Sequence, residues 1–245
     1  LEGSGVGTGV TGRVANAAQG RFAVSPQGHL YLAWTDDHTG VRQVYVKAWR
    51  GTGWLDLAGS AQGHGISATT GLSRLGNVAA MPNGHPVVIW FDHGATRRVM
   101  LRAFDGVRWN ALGGSTGPNG ISGNVNPWWP SVTVDPAGRP VAVWEQYWGA
   151  AGIRLSRFEG GAWGPVASSM KPGLDSDGQL AQVAAHGDEL HVLWRAKTPA
   201  HHPRYAHFDG VAWSASESPF GSATSTPRSA SVLALDSSGG AWLAV

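Results

Sequence analysis

The 245-residue chain is 42% hydrophobic and only 14% charged, and its 18 Lys and Arg against 16 Asp and Glu leave a net charge of +2, too small an excess to form a basic stripe for a nucleic-acid backbone. It contains no Cys, which excludes disulfides, thiolate metal sites and cysteine nucleophiles. No apolar run approaches the roughly 18 residues of a membrane-spanning helix, and the 36 Gly and 13 Trp point to many turns and repeated large anchors rather than a Leu-rich helical core.

The chain opens on Leu1-Glu-Gly-Ser4, which matches Leu57-Ala-Gly-Ser60 and Leu112-Gly-Gly-Ser115. This is the first sign of an internal repeat. Trp54, Trp109, Trp163 and Trp213 follow one another at steps of 55, 54 and 50 residues, and Trp34, Trp90, Trp144 and Trp194 at 56, 54 and 50. Trp49, Phe104, Phe158 and Phe208 stand five residues before the first series, each followed two residues later by Gly51, Gly106, Gly160 or Gly210. Within the third unit, Ser131–Asp135 alternates apolar and polar residues as a half-buried strand does. Pro136-Ala-Gly-Arg139 reads as a turn, with Gly138 free to take positive φ. Val141–Trp144 is a second, more buried strand, Ile153–Phe158 a third, and Trp163 opens a fourth after a tight hairpin.

First strands are expected at Arg21–Ser25, Asn77–Met81, Ser131–Asp135, Gln182–His186 and Val232–Asp236, and third and fourth strands four times. The fold class expected is all-β: a β-propeller of four-stranded antiparallel blades, with five repeats of which the last is incomplete, or a part of a larger ring. The whole of 1–245 reads as a single propeller domain, with repeat units at 1–53, 54–108, 109–162, 163–212 and 213–245. Because the chain starts and stops inside repeats, without an initiator Met or signal peptide, it reads as a mature product or a fragment of a longer chain.

The blocks Trp109–Ser115, Asn119-Gly-Ile-Ser122, Pro130–Trp144 and Val44–Trp49 resemble bacterial extracellular propeller repeats of the kind labelled sialidase-like. The resemblance spans the chain and implies a secreted propeller; a shared fold does not carry chemistry with it. The Asp box of sialidases matches only in part, since Phe104 occupies the Asp position in Ala103–Trp109. A sialidase also implies three Arg around a carboxylate, a Tyr–Glu nucleophile pair and an Asp acid. With only Tyr31, Tyr45, Tyr147 and Tyr205 present, three of them in expected strands, nothing in the sequence assembles that set.

Asp135 and Asp236, in the turn after the first strand, and Asp105, Glu159 and Asp209, in the outer hairpins, repeat in register and read as structural turn residues. Asp36, Asp37, Asp92 and Glu145 follow the second strands, where a pair of carboxyls for glycoside hydrolysis is expected to converge if one exists. His29 and His85 repeat and read as structural, while His201 and His202 point apart in an extended chain. Asp175-Ser-Asp177-Gly resembles the opening of a calcium loop, so calcium near Asp175 and Asp177 is a weak alternative to no cofactor.

The strongest departure from the repeat is aromatic. Trp128 and Trp129 precede the first strand of the third unit, and Tyr147 and Trp148 follow its second strand. They read either as plugs between blades or as a rim on which sugar rings stack, with Asp92, His93, Glu145, Gln146 and Asn126 supplying hydrogen bonds. The expected ligand-binding set is therefore Trp128, Trp129, Tyr147, Trp148, Asp92 and Glu145. The expected function is a non-catalytic extracellular recognition or scaffold module, lectin-like and carbohydrate-binding, with a glycan or cell-surface partner. One alternative is a sialidase-like glycoside hydrolase with acids among Asp36, Asp92 and Glu145. Another is a structural subunit whose unfinished last blade recruits a second copy or a partner chain through unpaired strand edges.

Overall fold

Period-2 patterning and repeated turns leave little room for helices, and in the computed structural model the described residues accordingly form strands, with one 3-10 turn at Gly9–Thr11. The structure describes all residues except 1–4, 6, 95, 150, 167–173, 177, 198–201, 220–231 and 245. The first sheet is β1 (Ala18–Val24), β2 (Leu30–Asp36), β3 (Gln43–Trp49) and β4 (Trp54–Asp56), antiparallel and in chain order. The second is β5 (Leu72–Ala80), β6 (Pro86–His93), β7 (Arg97–Phe104) and β8 (Trp109–Asn110). The third is β9 (Pro127–Val134), β10 (Pro140–Gln146), β11 (Gly152–Glu159) and β12 (Ala162–Pro165). A three-stranded sheet follows, β13 (Gly178–His186), β14 (Glu189–Ala196) and β15 (Pro203–Phe208), and then a pair, β16 (Val232–Leu235) and β17 (Ala241–Ala244).

The expected order of strands within a repeat is thus present, but the fourth unit departs from it. Only isolated bridges, Phe208 to Trp213 and Tyr205 to Glu217, stand where its fourth strand was expected. The Ser-rich stretch Ser214-Ala-Ser-Glu-Ser218 and Pro219 offer no alternating apolar face and no donor at the proline to extend a ladder.

The first strands also begin earlier than their alternation suggests. Each carries a register shift opposite or beside the second-strand Trp: between Ala18 and Arg21, Leu75 and Asn77, across from Val143 to Glu145, and between Gln179 and Gln182. A bulge adds a residue and moves the alternation out of phase, so the sequence pattern breaks exactly where the strand continues. Gln19, Trp129 and Leu180 take positive φ at these bulges.

The chain packs as two compact units, Leu1–Asn124 and Val125–Val245. In the first, Tyr31, Val44 and Val46 of one sheet meet Leu75, Val88 and Trp90 of the next. In the second, Val141, Val143, Ile153 and Leu155 meet Val183, Leu190, Val192 and Trp194. The second strands are buried along nearly their whole length, being flanked on both edges by strands of their own sheet.

The two Trp series serve different ends. Trp90, Trp144 and Trp194 are buried in the core. The outer series closes each hairpin against the preceding aromatic, with ring centroids 5.8 Å apart for Trp49–Trp54, 5.4 Å for Phe104–Trp109 and 5.5 Å for Phe158–Trp163. Within each unit it also staples adjacent sheets, since Trp109 Nε1 donates to Leu57 O at 2.8 Å and Trp213 Nε1 to Val166 O at 3.3 Å.

Candidate functional site

Carboxylates do chemistry only where folding has not already used their oxygens. The hairpin acids are used: Asp105 accepts from the backbone N–H groups of Val107 and Arg108 at 2.8 Å each, and Asp209 does the same with Val211 and Ala212. Asp135 caps the turn at Arg139 and binds its side chain at 2.6 Å. Gly138, at φ 80°, supplies the left-handed residue this turn needs.

The acids after the second strands divide. Asp36 is buried and occupied by the Trp34 indole at 3.0 Å, by Arg13 at 3.7 Å and by His38. Asp37 is held by the Asn16 side chain at 3.0 Å. Asp92 is buried with Arg98 Nη2 at 2.9 Å and Thr69 Oγ1 at 3.1 Å. It belongs to the first unit, whereas the aromatic residues with which the sequence grouped it belong to the second.

Glu145 is different. It lies near the end of β10, opposite Trp128 of β9 and Ile153 of β11, and is only 1% exposed. Neither carboxyl oxygen has a well-aligned hydrogen bond among the described residues, and the Tyr147 hydroxyl is an uncharged polar neighbour. The charged partner of Glu145 is Lys197, just past β14, whose Nζ lies 3.4 Å from Oε1. That same ammonium sits 4.6 Å from the centre of the Tyr147 ring, a cation–π distance.

Trp128, the cross-strand partner of Glu145, is the centre of an aromatic cluster. Trp128 and Tyr147 meet edge to face at 6.4 Å, and Trp128 and Trp129 are tilted at 6.1 Å. Trp128 is half-buried, whereas Trp129, Tyr147 and Trp148 are 40%, 42% and 54% exposed. Trp148 is placed by its backbone, donating to Val125 O at 3.2 Å and accepting from Gln146 Nε2 at 2.9 Å.

The Tyr147 hydroxyl is fixed by Gln179 Nε2 at 3.3 Å, and Gln179 is in turn held by Arg195 Nη2 at 2.9 Å. Burial pushes this phenol above its ordinary range, and the neighbouring Glu145 carboxylate pushes further, against the opposing pull of Gln179 and Lys197. Lys197, Gln179 and Arg195 were not among the residues expected from sequence. They come from the next blade, about 50 residues downstream, and the only local signal was that Lys197 is one of three lysines in the chain.

The remaining expectations concern cations. Asp175 accepts the Trp194 indole N–H at 2.7 Å, and Asp177 lies outside the described residues, as does His201.

No family model matches the chain, and no curated protein matches it in sequence. Solved structures do. An alpha-L-arabinanase of Penicillium chrysogenum complexed with arabinobiose is similar at a TM-score of 0.57 and 13% identity, over 93% of this chain and 74% of that one. A protein of unknown function from Dyadobacter fermentans matches at a TM-score of 0.57 and 12% identity, covering 83% and 69%. A Hadza microbial sialidase matches at 0.52 and 10%, over 83% of this chain but less than half, 45%, of that one.

At these identities the likeness establishes the fold, a β-propeller type of blade architecture shared with carbohydrate-active proteins. The expectation of a non-catalytic module is corrected by it. Structures similar over most of this chain include two proteins that are enzymes by name, so this fold gives no reason to set catalysis aside. The second unit, moreover, holds a buried carboxylate whose polar neighbours among the described residues are the Lys197 ammonium and the Tyr147 hydroxyl. Among the described residues no helix is long and apolar enough to cross a membrane.

Proposed function

We propose that this protein is a carbohydrate-active enzyme of the glycoside-hydrolase class, with its site in the second unit. Trp129, Tyr147 and Trp148 present exposed rings to the apolar faces of sugars, and Trp128 backs them. Glu145 is the catalytic carboxyl.

The observation that carries this reading is Glu145 itself, 1% exposed, without a well-aligned hydrogen bond to either oxygen among the described residues, and set between the Tyr147 phenol and the Lys197 ammonium. The Lys197 ion pair only partly offsets the desolvation of a buried carboxylate whose oxygens lack well-aligned hydrogen bonds, and groups kept at such cost cluster where chemistry is done. Its neighbours suit the task. Tyr147 and Glu145 are a Tyr–carboxylate pair of the composition that sialidases use as nucleophile and base. Glu145 would take the phenol proton as Tyr147 Oη attacks the anomeric carbon and the glycosidic C–O bond breaks, the leaving oxygen taking a proton from water. The resulting hydroxide would then attack the same carbon to release the sugar and the tyrosine, which recovers its proton from Glu145. Lys197 supplies positive charge beside both groups. The likeness to an arabinanase and a sialidase supports a glycan as substrate, and secretion belongs to the same proposal.

The test is hydrolysis of a panel of aryl glycosides that includes furanosides and sialosides. Turnover by the wild type that falls by at least about 10³-fold in Glu145→Gln, with glycan affinity kept, is the expected result. A panel that the wild type leaves uncut, or turnover indifferent to Glu145→Gln, overturns it.

A further inference from the structure

Strand pairing in the second unit creates a second polar cluster that the site above does not use. Glu189 and His191 are two apart on β14, so their side chains share a face, and His207 of β15 is the direct cross-strand partner of His191. The donor atoms of Glu189, His191 and His207 all lie within 4.8 Å of one another. Glu189 Oε2 is 3.9 Å from His191 Nε2 and 3.7 Å from His207 Nε2, and the two imidazole rings are 4.8 Å apart.

Both Nε2 atoms are buried and take no hydrogen bond from a described residue. His191 Nδ1 lies 2.6 Å from Tyr205 Oη. In the tautomer in which this Nδ1–H donates to the phenol, Nε2 carries a free lone pair turned toward His207 and Glu189. Two desolvated imidazole nitrogens facing one carboxylate with no proton shared among them is a costly arrangement for a structural core.

We propose that Glu189, His191 and His207 bind a divalent transition-metal ion, with zinc the best fit. Two imidazoles and one carboxylate are a zinc donor set that leaves a fourth tetrahedral position for water. The present separations must close by roughly 0.5–1.5 Å to reach metal–ligand bonds of about 2.0–2.2 Å, a movement open to the exposed Glu189 and the partly exposed His207. The Tyr205 hydroxyl fills the role of an outer partner that fixes the ring and tautomer of a ligating histidine.

Glu189 and His191 open β14 while Arg195 and Lys197 lie at and beyond its other end, so roughly 20 Å of strand separates this cluster from Glu145. An ion here clips β14 to β15 in the sheet that has only bridges for a fourth strand.

The test uses the untagged full chain, stripped with chelator and titrated with zinc against a chromophoric competitor, with the imidazole ¹⁵N signals followed by NMR. Expected are about one zinc per chain, shifted Nε2 signals for two histidines, and a higher Tm with zinc than without. H207Q and E189Q, checked for folding by circular dichroism, should each weaken binding by at least about tenfold, and Tyr205→Phe by about tenfold. H202Q, outside the cluster, should bind as the wild type does. No zinc held in competition, affinity unchanged in folded H207Q, or zinc lost in H202Q instead would each overturn the proposal.

Discussion

At the scale of single residues, the second unit sets its acids apart by what they touch. Asp135 and Asp209 are consumed by backbone N–H groups, while Glu145 has Lys197 as its charged partner among the described residues. Trp129 is the residue where fold and function are most easily separated. Its φ of 47° is a left-handed value that costs a residue with a Cβ about 1–2 kcal/mol, yet its ring is 40% exposed. Trp129→Gly should therefore fold with stability unchanged or raised by up to about 1 kcal/mol, since glycine relieves that strain, while glycan binding falls. Urea denaturation and a glycan-binding titration on the same sample check this. A destabilised glycine variant would show instead that the Trp129 ring is a packing element.

Elements owe their ends to turn chemistry, and that chemistry titrates. Asp105 is held at about 2 by hydrogen bonds first from the Arg108 backbone, then from Val107 and the Asn110 side chain. Asp236 is held at about 2 by the Ser238 hydroxyl and the backbone of Gly240 and Ser238. Both values lie below the unfolded carboxyl near 3.9. Their contribution is therefore complete above about pH 4 and is lost as pH falls towards 2. Tm should drop across that window, and Asp105→Asn should flatten part of the slope; an identical slope in the variant would remove Asp105 from the account. These hairpins were legible because Asp and Gly recur at fixed offsets. The bulges at Gln19, Trp129 and Leu180 were not, because a left-handed residue that is not glycine leaves no mark in the sequence.

Whole units are held by contacts that repeat with the sequence but act between sheets. Trp109 donates to Leu57 O across two sheets of the first unit, and Trp213 to Val166 O across two sheets of the second. Trp109→Phe keeps most of the ring and removes the donor. It should cost about 1 kcal/mol, because Leu57 O loses the indole donor but keeps the Ser60 N–H at 3.2 Å. The denaturant midpoint should fall with the m-value unchanged, and no shift would mean that water replaces the indole at once. Trp144→Ala, in the core of the second unit, should cost about 3–5 kcal/mol through the cavity it leaves.

The order of strands, the hairpin aromatics, the turn acids and the two Trp series were determined by the sequence itself, since each rests on spacing of a few residues that repeats about every 50. Trp128, Trp129 and Tyr147 stood out for the complementary reason, as departures from that period, and they do come together in the fold. Which acid is free, which lysine faces it and which histidines converge were decided only by the tertiary structure. Glu145 and Lys197 are 52 residues apart and meet only because neighbouring sheets pack, and His191 and His207 face each other only in the register that pairs β14 with β15. A charge is free or spent according to partners that arrive from other strands, and no local pattern records them.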